Sequence, residues 1–79
     1  MKITLRLIAP YRKLLPPETK GNKIELDVKQ DTTISDLMAR FDIPQDETSV
    51  ILLNGLTVPL STKISDGDLV TAFSAIAGG

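Results

Sequence analysis

The 79-residue chain contains neither cysteine nor histidine. Without cysteine it has no disulfides, thiolate nucleophiles, zinc knuckles or iron–sulfur ligation. Without histidine it has no imidazole base near neutral pH, so an enzyme made of this chain alone would have to work with carboxylates. Aromatic residues are scarce as well, with one tyrosine, two phenylalanines and no tryptophan. That leaves few surfaces on which bases could stack, and the basic residues are scattered rather than clustered, so a nucleic-acid role gains little support. No apolar run approaches the roughly 18 residues needed for a membrane span. The opening Met1-Lys2-Ile3-Thr4-Leu5-Arg6 alternates apolar and polar residues and lacks the continuous apolar stretch of a secretory signal. The expectation is a soluble, cytoplasmic globule.

A chain of this length has room for one domain and buries only about 60% of its unfolded surface, so its core must be economical. Residues 1–74 are expected to form that domain and residues 75–79 a projecting tail. Hydrophobic residues make up 42% and charged residues 24%, which is ordinary globular usage. The net charge of −1 hides an asymmetry, +4 over residues 1–30 against −5 over residues 31–79. Such a dipole can orient a protein on a partner of opposite pattern. The plainer reading is a solvated surface on which the two signs interleave after folding.

Two segments alternate with the two-residue period of a half-buried strand. Lys2 to Ala9 places Ile3, Leu5, Leu7 and Ala9 on one side, and Lys23 to Lys29 places Ile24, Leu26 and Val28 inward. The connection "PYRKLLPPETKGN" is long for a hairpin, so part of it must be ordered. One helical turn over Tyr11 to Leu15 could tuck Leu14 or Leu15 over the sheet edge before Pro16-Pro17 stops it; a partner-contacting loop is the alternative. In "DTTISDLMARFDIP", Thr32 or Thr33 can cap a helix whose first turn holds Asp36. Ile34, Leu37, Met38 and Phe41 then form an apolar stripe over about two and a half turns, read as core rather than as a ligand pocket. The approach to Pro44 ends it.

Val50 to Leu53 forms a third strand, and Asn54-Gly55 is the strongest two-residue hairpin signal because both positions tolerate positive φ. A short strand around Leu56 to Val58 follows, limited by Pro59. Asp66 and Asp68 flank Gly67 as a turn, since the spacing of a calcium loop is missing and no metal site is expected. Leu69 to Phe73 is the last strand, with Val70 and Ala72 facing the helix and Thr71 and Phe73 facing the open side. A mixed sheet of four or five strands covered on one face by a single helix is an α+β domain, the ubiquitin-like β-grasp.

The chain closes on "AFSAIAGG". Glycine-rich ends occur in frayed termini as well as in working ones. Together with "LNG" and "DGDLV", however, the terminal pair resembles the MoaD/ThiS family of sulfur carriers. That family comprises the small subunit of molybdopterin synthase and the thiamine sulfur carrier, and the matching residues are Asn54, Gly55, Gly67, Asp68, Val70, Gly78 and Gly79. The early "APYRKLL" also looks like the first loop of the molybdopterin-synthase small subunit. Just before the tail, that branch commonly carries aromatic and proline residues, whereas this chain has "AFSAIAGG".

The resemblance implies a carrier rather than an enzyme. A partner adenylating enzyme of the ubiquitin-activating type would spend ATP to activate the carboxylate of Gly79. Sulfur from a persulfide would then convert it to a thiocarboxylate for an acceptor such as the molybdopterin synthase large subunit, with no cofactor held permanently by the chain. Gly78 and Gly79 lack Cβ atoms and could thread a narrow channel. Phe73, Ile76 and Ala77 would contact the partner beside the tail. Thiazole, a tungsten cofactor, cysteine and transfer RNA are other destinations for the sulfur, and conjugation to lysines through Gly79 is the competing use of the same tail.

Overall fold

In the computed structural model, which describes residues 1–76, the alternating segment Lys2–Leu7 forms strand β1 and Lys23–Asp27 forms β2. They pair antiparallel, with Leu5 opposite Ile24 and Ile3 opposite Leu26. Helix α1 (Ile34–Arg40) follows, then β3 (Ser49–Leu53), β4 (Leu56–Thr57) and β5 (Leu69–Ser74). The five strands lie in the order β2-β1-β5-β3-β4. The last strand to be made is thus the middle of the sheet, parallel to β1 on one side and antiparallel to β3 on the other.

Register puts one apolar set on the helix side. Leu5 and Leu7 of β1 stand beside Val70 and Ala72 of β5, and Ile51 of β3 stands beside Ala72. These residues are buried together with Ile34, Leu37 and Met38 of α1, and Ile43, Ile64 and Leu15 close the periphery. Leu15 is the leucine that tucks in, while Leu14 stays half-buried at the end of a 3-10 turn over Tyr11–Leu14.

Three sequence expectations shift in detail. β1 ends at Leu7, and Ala9 is exposed in a turn instead of facing inward. Ile8 N–H still reaches Ala72 O at 3.1 Å, but Pro10 has no N–H with which to continue the ladder. β2 stops at Asp27, although Val28 N–H still bonds Met1 O at 2.9 Å and the Met1 ammonium bonds Val28 O at 2.9 Å. The helix is about two turns long, and it ends before Pro44 has any influence. Asp42 takes φ 57°, and Ile43 N–H returns to Met38 O while Asp42 N–H returns to Ala39 O. That closing motif satisfies the last carbonyls and drops Ile43 into the core. Phe41 is left half-buried as the C-cap.

At the other end, Thr33 is the N-cap. Its hydroxyl accepts Asp36 N–H at 3.1 Å, and the Asp36 carboxylate accepts Thr33 N–H at 3.0 Å. This reciprocal box lets a seven-residue helix start cleanly where isolated helices of that length do not form. Replacing Leu5, fully buried between Ile24 and Val70, with alanine is expected to cost about 3 kcal/mol. Urea unfolding should show a lower midpoint at unchanged slope, and an unchanged midpoint would contradict this packing.

Candidate functional site

Because β5 runs parallel to β1 and antiparallel to β3, its C-terminal end emerges between the Ile8–Leu15 loop and the Asp46–Ser49 segment. The exit is tied down on several sides. Ser49 pairs with Ser74, and Ala75 N–H bonds Thr48 O at 2.8 Å. The Ser74 hydroxyl accepts Ile76 N–H at 3.1 Å. The Tyr11 hydroxyl lies 2.6 Å from Ser49 Oγ, pinning the 3-10 turn against the start of β3. Asp46 accepts both the hydroxyl and the amide of Thr48, and these bonds, the hydroxyl first, hold its carboxyl below the usual carboxylate value.

Phe73 lies on the sheet face opposite the helix, as alternation requires, but it is half-buried rather than freely exposed. Ile76 is 53% exposed at the root of the tail. Ala77, Gly78 and Gly79 lie outside the described residues. Thr71 also faces away from the helix, yet it is only 3% exposed. Its cross-strand neighbours Arg6 and Leu52, with Phe73 and Leu69 two residues away, close over it. An apolar row therefore runs over the open face through Leu69, Leu52, Val50 and Phe73. Ile8, 39% exposed, stands beside it.

The two motifs that carried the resemblance meet at the opposite pole of β5, about 20 Å from the tail root by strand length. Asn54 Nδ2 donates to Asp68 Oδ1 at 3.0 Å, and Asn54 Oδ1 accepts Leu69 N–H at 2.9 Å. Asp68 Oδ2 accepts Ser65 N–H at 2.7 Å, and Asp66 accepts Lys2 N–H at 2.7 Å. Asn54, Gly55 and Gly67 all adopt positive φ. These aspartates thus serve backbone amides in turns. The motifs form a latch that fixes where β5 starts, and so where it ends. The Tyr11–Ser49 bond was not legible in sequence, because it joins a loop to a strand start that only folding brings together; the Asp46–Thr48 brace is a local turn in which an aspartate caps the amide two residues on, a signal the sequence reading passed over.

The helix on one face, the mixed sheet and a terminal segment leaving its central strand define a ubiquitin-like β-grasp protein. The Mut7-C ubiquitin family profile matches residues 1–77, and the chain belongs to that family. No curated protein sequence matches the chain. Among solved structures, the HVO 2177 protein of Haloferax volcanii is 25% identical over all of this chain and 87% of its own, with a TM-score of 0.79. SAMP1 from Haloferax volcanii is 19% identical over the whole of both chains, with a TM-score of 0.74. A chain from the protein–protein complex of subunits 1 and 2 of molybdopterin-converting factor from Helicobacter pylori is 19% identical over the whole of both chains, with a TM-score of 0.63. These likenesses establish the fold. Among the described residues no helix is long and apolar enough to cross a membrane, and no group of acidic side chains has metal-holding geometry.

Asn54→Ala removes two side-chain hydrogen bonds and leaves an alanine at φ 52°, so it is expected to cost about 2 kcal/mol of unfolding free energy. A denaturant titration within experimental error of the parent would refute the latch. The depressed pKa of Asp46 gives a contribution that is full above its unfolded pKa and lost as pH falls through the folded value. Carboxyl NMR titration should place Asp46 below the ordinary aspartate value, and Thr48→Val, which removes the hydroxyl bond, should bring it back toward that value.

Proposed function

We propose that the chain is a sulfur carrier whose working group is the carboxylate of Gly79. The observation that carries this reading is the anchoring of the last strand. β5 is the central strand, held on both sides, and Ala75 and Ile76 are still hydrogen-bonded to the body, so the chain leaves the fold at a fixed point. Three residues with almost no side chain follow that point in sequence, Ala77, Gly78 and Gly79. A short arm of this kind suits insertion into a narrow channel, with Phe73 and Ile76 as apolar contacts at its root.

The chemistry is supplied by partners. A carboxylate oxygen of Gly79 attacks the α-phosphorus of ATP on an adenylating enzyme of the ubiquitin-activating type, releasing pyrophosphate and leaving an acyl adenylate. The terminal sulfur of a persulfide attacks the acyl carbon and expels AMP. A thiol then cleaves the resulting acyl disulfide, leaving a thiocarboxylate on the carrier and a disulfide on the donor. No cysteine or histidine of the carrier is needed. The likeness to subunit 1 in the molybdopterin-converting factor complex favours a large-subunit acceptor and molybdopterin as the destination. The likeness to SAMP1, a small archaeal modifier protein, supports a second use of the same adenylate, attack by a lysine amine to form an isopeptide bond.

Incubation of the chain with its adenylating enzyme, ATP and a persulfide donor should exchange one oxygen for sulfur in the intact mass, and deletion of Gly79 should abolish the exchange. An unchanged mass with a competent enzyme would reject the carrier reading. Higher-mass conjugates in cell extract that vanish on Gly79 deletion would favour the modifier reading.

A further inference from the structure

Asn54 carries more chemistry than a turn requires. An asparagine followed by glycine is the pairing most prone to lose its side-chain amide, because the next backbone nitrogen attacks Cγ and a residue without Cβ offers that attack no steric resistance. The chain has two asparagines, and only Asn54 precedes a glycine, Asn22 being followed by Lys23. Asn54 and Gly55 are both exposed, and nothing lies within 4 Å of the space a Gly55 side chain would fill. Water therefore reaches the turn freely. Gly67 follows Asp66 in the same way, but a carboxylate is a far poorer electrophile than an amide.

The fold works against that reactivity. Asn54 Nδ2 donates to Asp68 Oδ1 at 3.0 Å and Asn54 Oδ1 accepts Leu69 N–H at 2.9 Å, so both ends of the amide point across to the start of β5. The backbone is held as well, with Asn54 N–H on Leu69 O at 2.8 Å and Leu53 paired with Leu56 across the turn. Attack by the Gly55 nitrogen requires Cγ to swing back over its own main chain. Both side-chain bonds must open first.

We propose that Asn54 is a self-modification site that the Asn54–Asp68 latch holds in check, and that its conversion unlocks the start of β5. The Gly55 nitrogen forms a bond to Cγ, the Cγ–Nδ2 bond breaks, and the proton from Gly55 leaves with the amide nitrogen as ammonia. A five-membered succinimide remains. Water opens it at Cγ to give aspartate, or at the main-chain carbonyl to give isoaspartate, so water is the one co-reactant. Aspartate still accepts Leu69 N–H, but it sets an oxygen where Nδ2 donated to Asp68, and two carboxylates then face each other across a former hydrogen bond. Asp68 is meanwhile held by Ser65 N–H at 2.7 Å and has little freedom to turn away. Isoaspartate lengthens the main chain by a methylene inside the tight turn that closes Leu53 on Leu56. Either product removes bonds that fix where the last strand begins.

The test incubates the full chain in heavy-oxygen water at mildly alkaline pH, well below the melting temperature of each variant, and follows the peptide spanning the turn by mass. Conversion of Asn54 appears as replacement of NH2 by OH with uptake of solvent oxygen, and chromatography separates the aspartate and isoaspartate peptides. In the native chain it should run at least about tenfold slower than in the same chain unfolded by urea. A folded Asp68→Ala variant should recover most of the urea rate. Ile34→Val trims the core under α1 without touching the latch, and should lower the melting temperature while leaving conversion at the parent's rate. That comparison separates local from global protection even where Asp68→Ala does not fold. Equal rates in the native and unfolded chains would overturn the inference, as would an Asn54 that survives in urea, or a folded Asp68→Ala variant that converts no faster than the parent. Faster conversion in Ile34→Val, in step with its lost stability, would do the same, because protection would then belong to the whole fold. For the consequence, Asn54→Asp should speed amide exchange at Leu69 at least about tenfold relative to Leu37 in α1. Exchange matching the parent at Leu69 would overturn the unlocking of β5.

Discussion

The zipping of β5 between β1 and β3 is the constraint from which the rest of this molecule follows. A parallel neighbour pairs with it over Leu69–Ala72 on one side and an antiparallel neighbour over Val70–Ser74 on the other, so most of the strand's backbone is hydrogen-bonded within the sheet. They also commit its side chains to two faces. Val70 and Ala72 complete the core under α1, and Thr71 and Phe73 complete the open face. Because β1 and β5 are far apart in sequence, none of this exists until both ends of the chain have come together. Core, open face and tail exit are thus products of one long-range pairing.

Each end of β5 has its own device. At the start, Asn54 and Asp68 exchange side-chain and backbone hydrogen bonds across two turns, so the strand cannot slip by a residue without breaking several bonds at once. A slip of that kind would turn Val70 outward and Phe73 inward. At the finish, Thr48, Ser49 and Ser74 hold the chain as far as Ile76, and Tyr11 braces that corner from the first loop. The Asn54-Gly55 and Gly67-Asp68 turns therefore serve position, and the chemistry proposed for the tail depends on that position being fixed from about 20 Å away.

The open face combines two kinds of surface. Leu69, Leu52, Val50 and Phe73 form an apolar row. Beside that row, Arg6 stands opposite Lys23 on the neighbouring strand. Glu25 and Asp27 share strand β2 with Lys23 on this face, so both signs of charge stand there side by side.

Local patterns were sufficient for most elements. Period-two alternation located β1 and β2, the apolar stripe located α1, and Asn54-Gly55 located the β3–β4 turn. Errors fell at element ends, where the deciding groups are distant or unusual in conformation: Ala9 turned out of β1 before Pro10, and Asp42 at φ 57° ended the helix early. Side-chain order along a strand is set by the chain itself, so the sequence determined which residues of β5 share a face. It could not determine how far a residue on the outer face is covered, which is why Phe73 came out half-buried and Thr71 almost fully so. Nor could it reveal that Lys23 stands opposite Arg6, or that Tyr11 reaches Ser49. Those relations depend on strand order and register, which arise only when separate segments compete to pair and one arrangement buries the apolar set best.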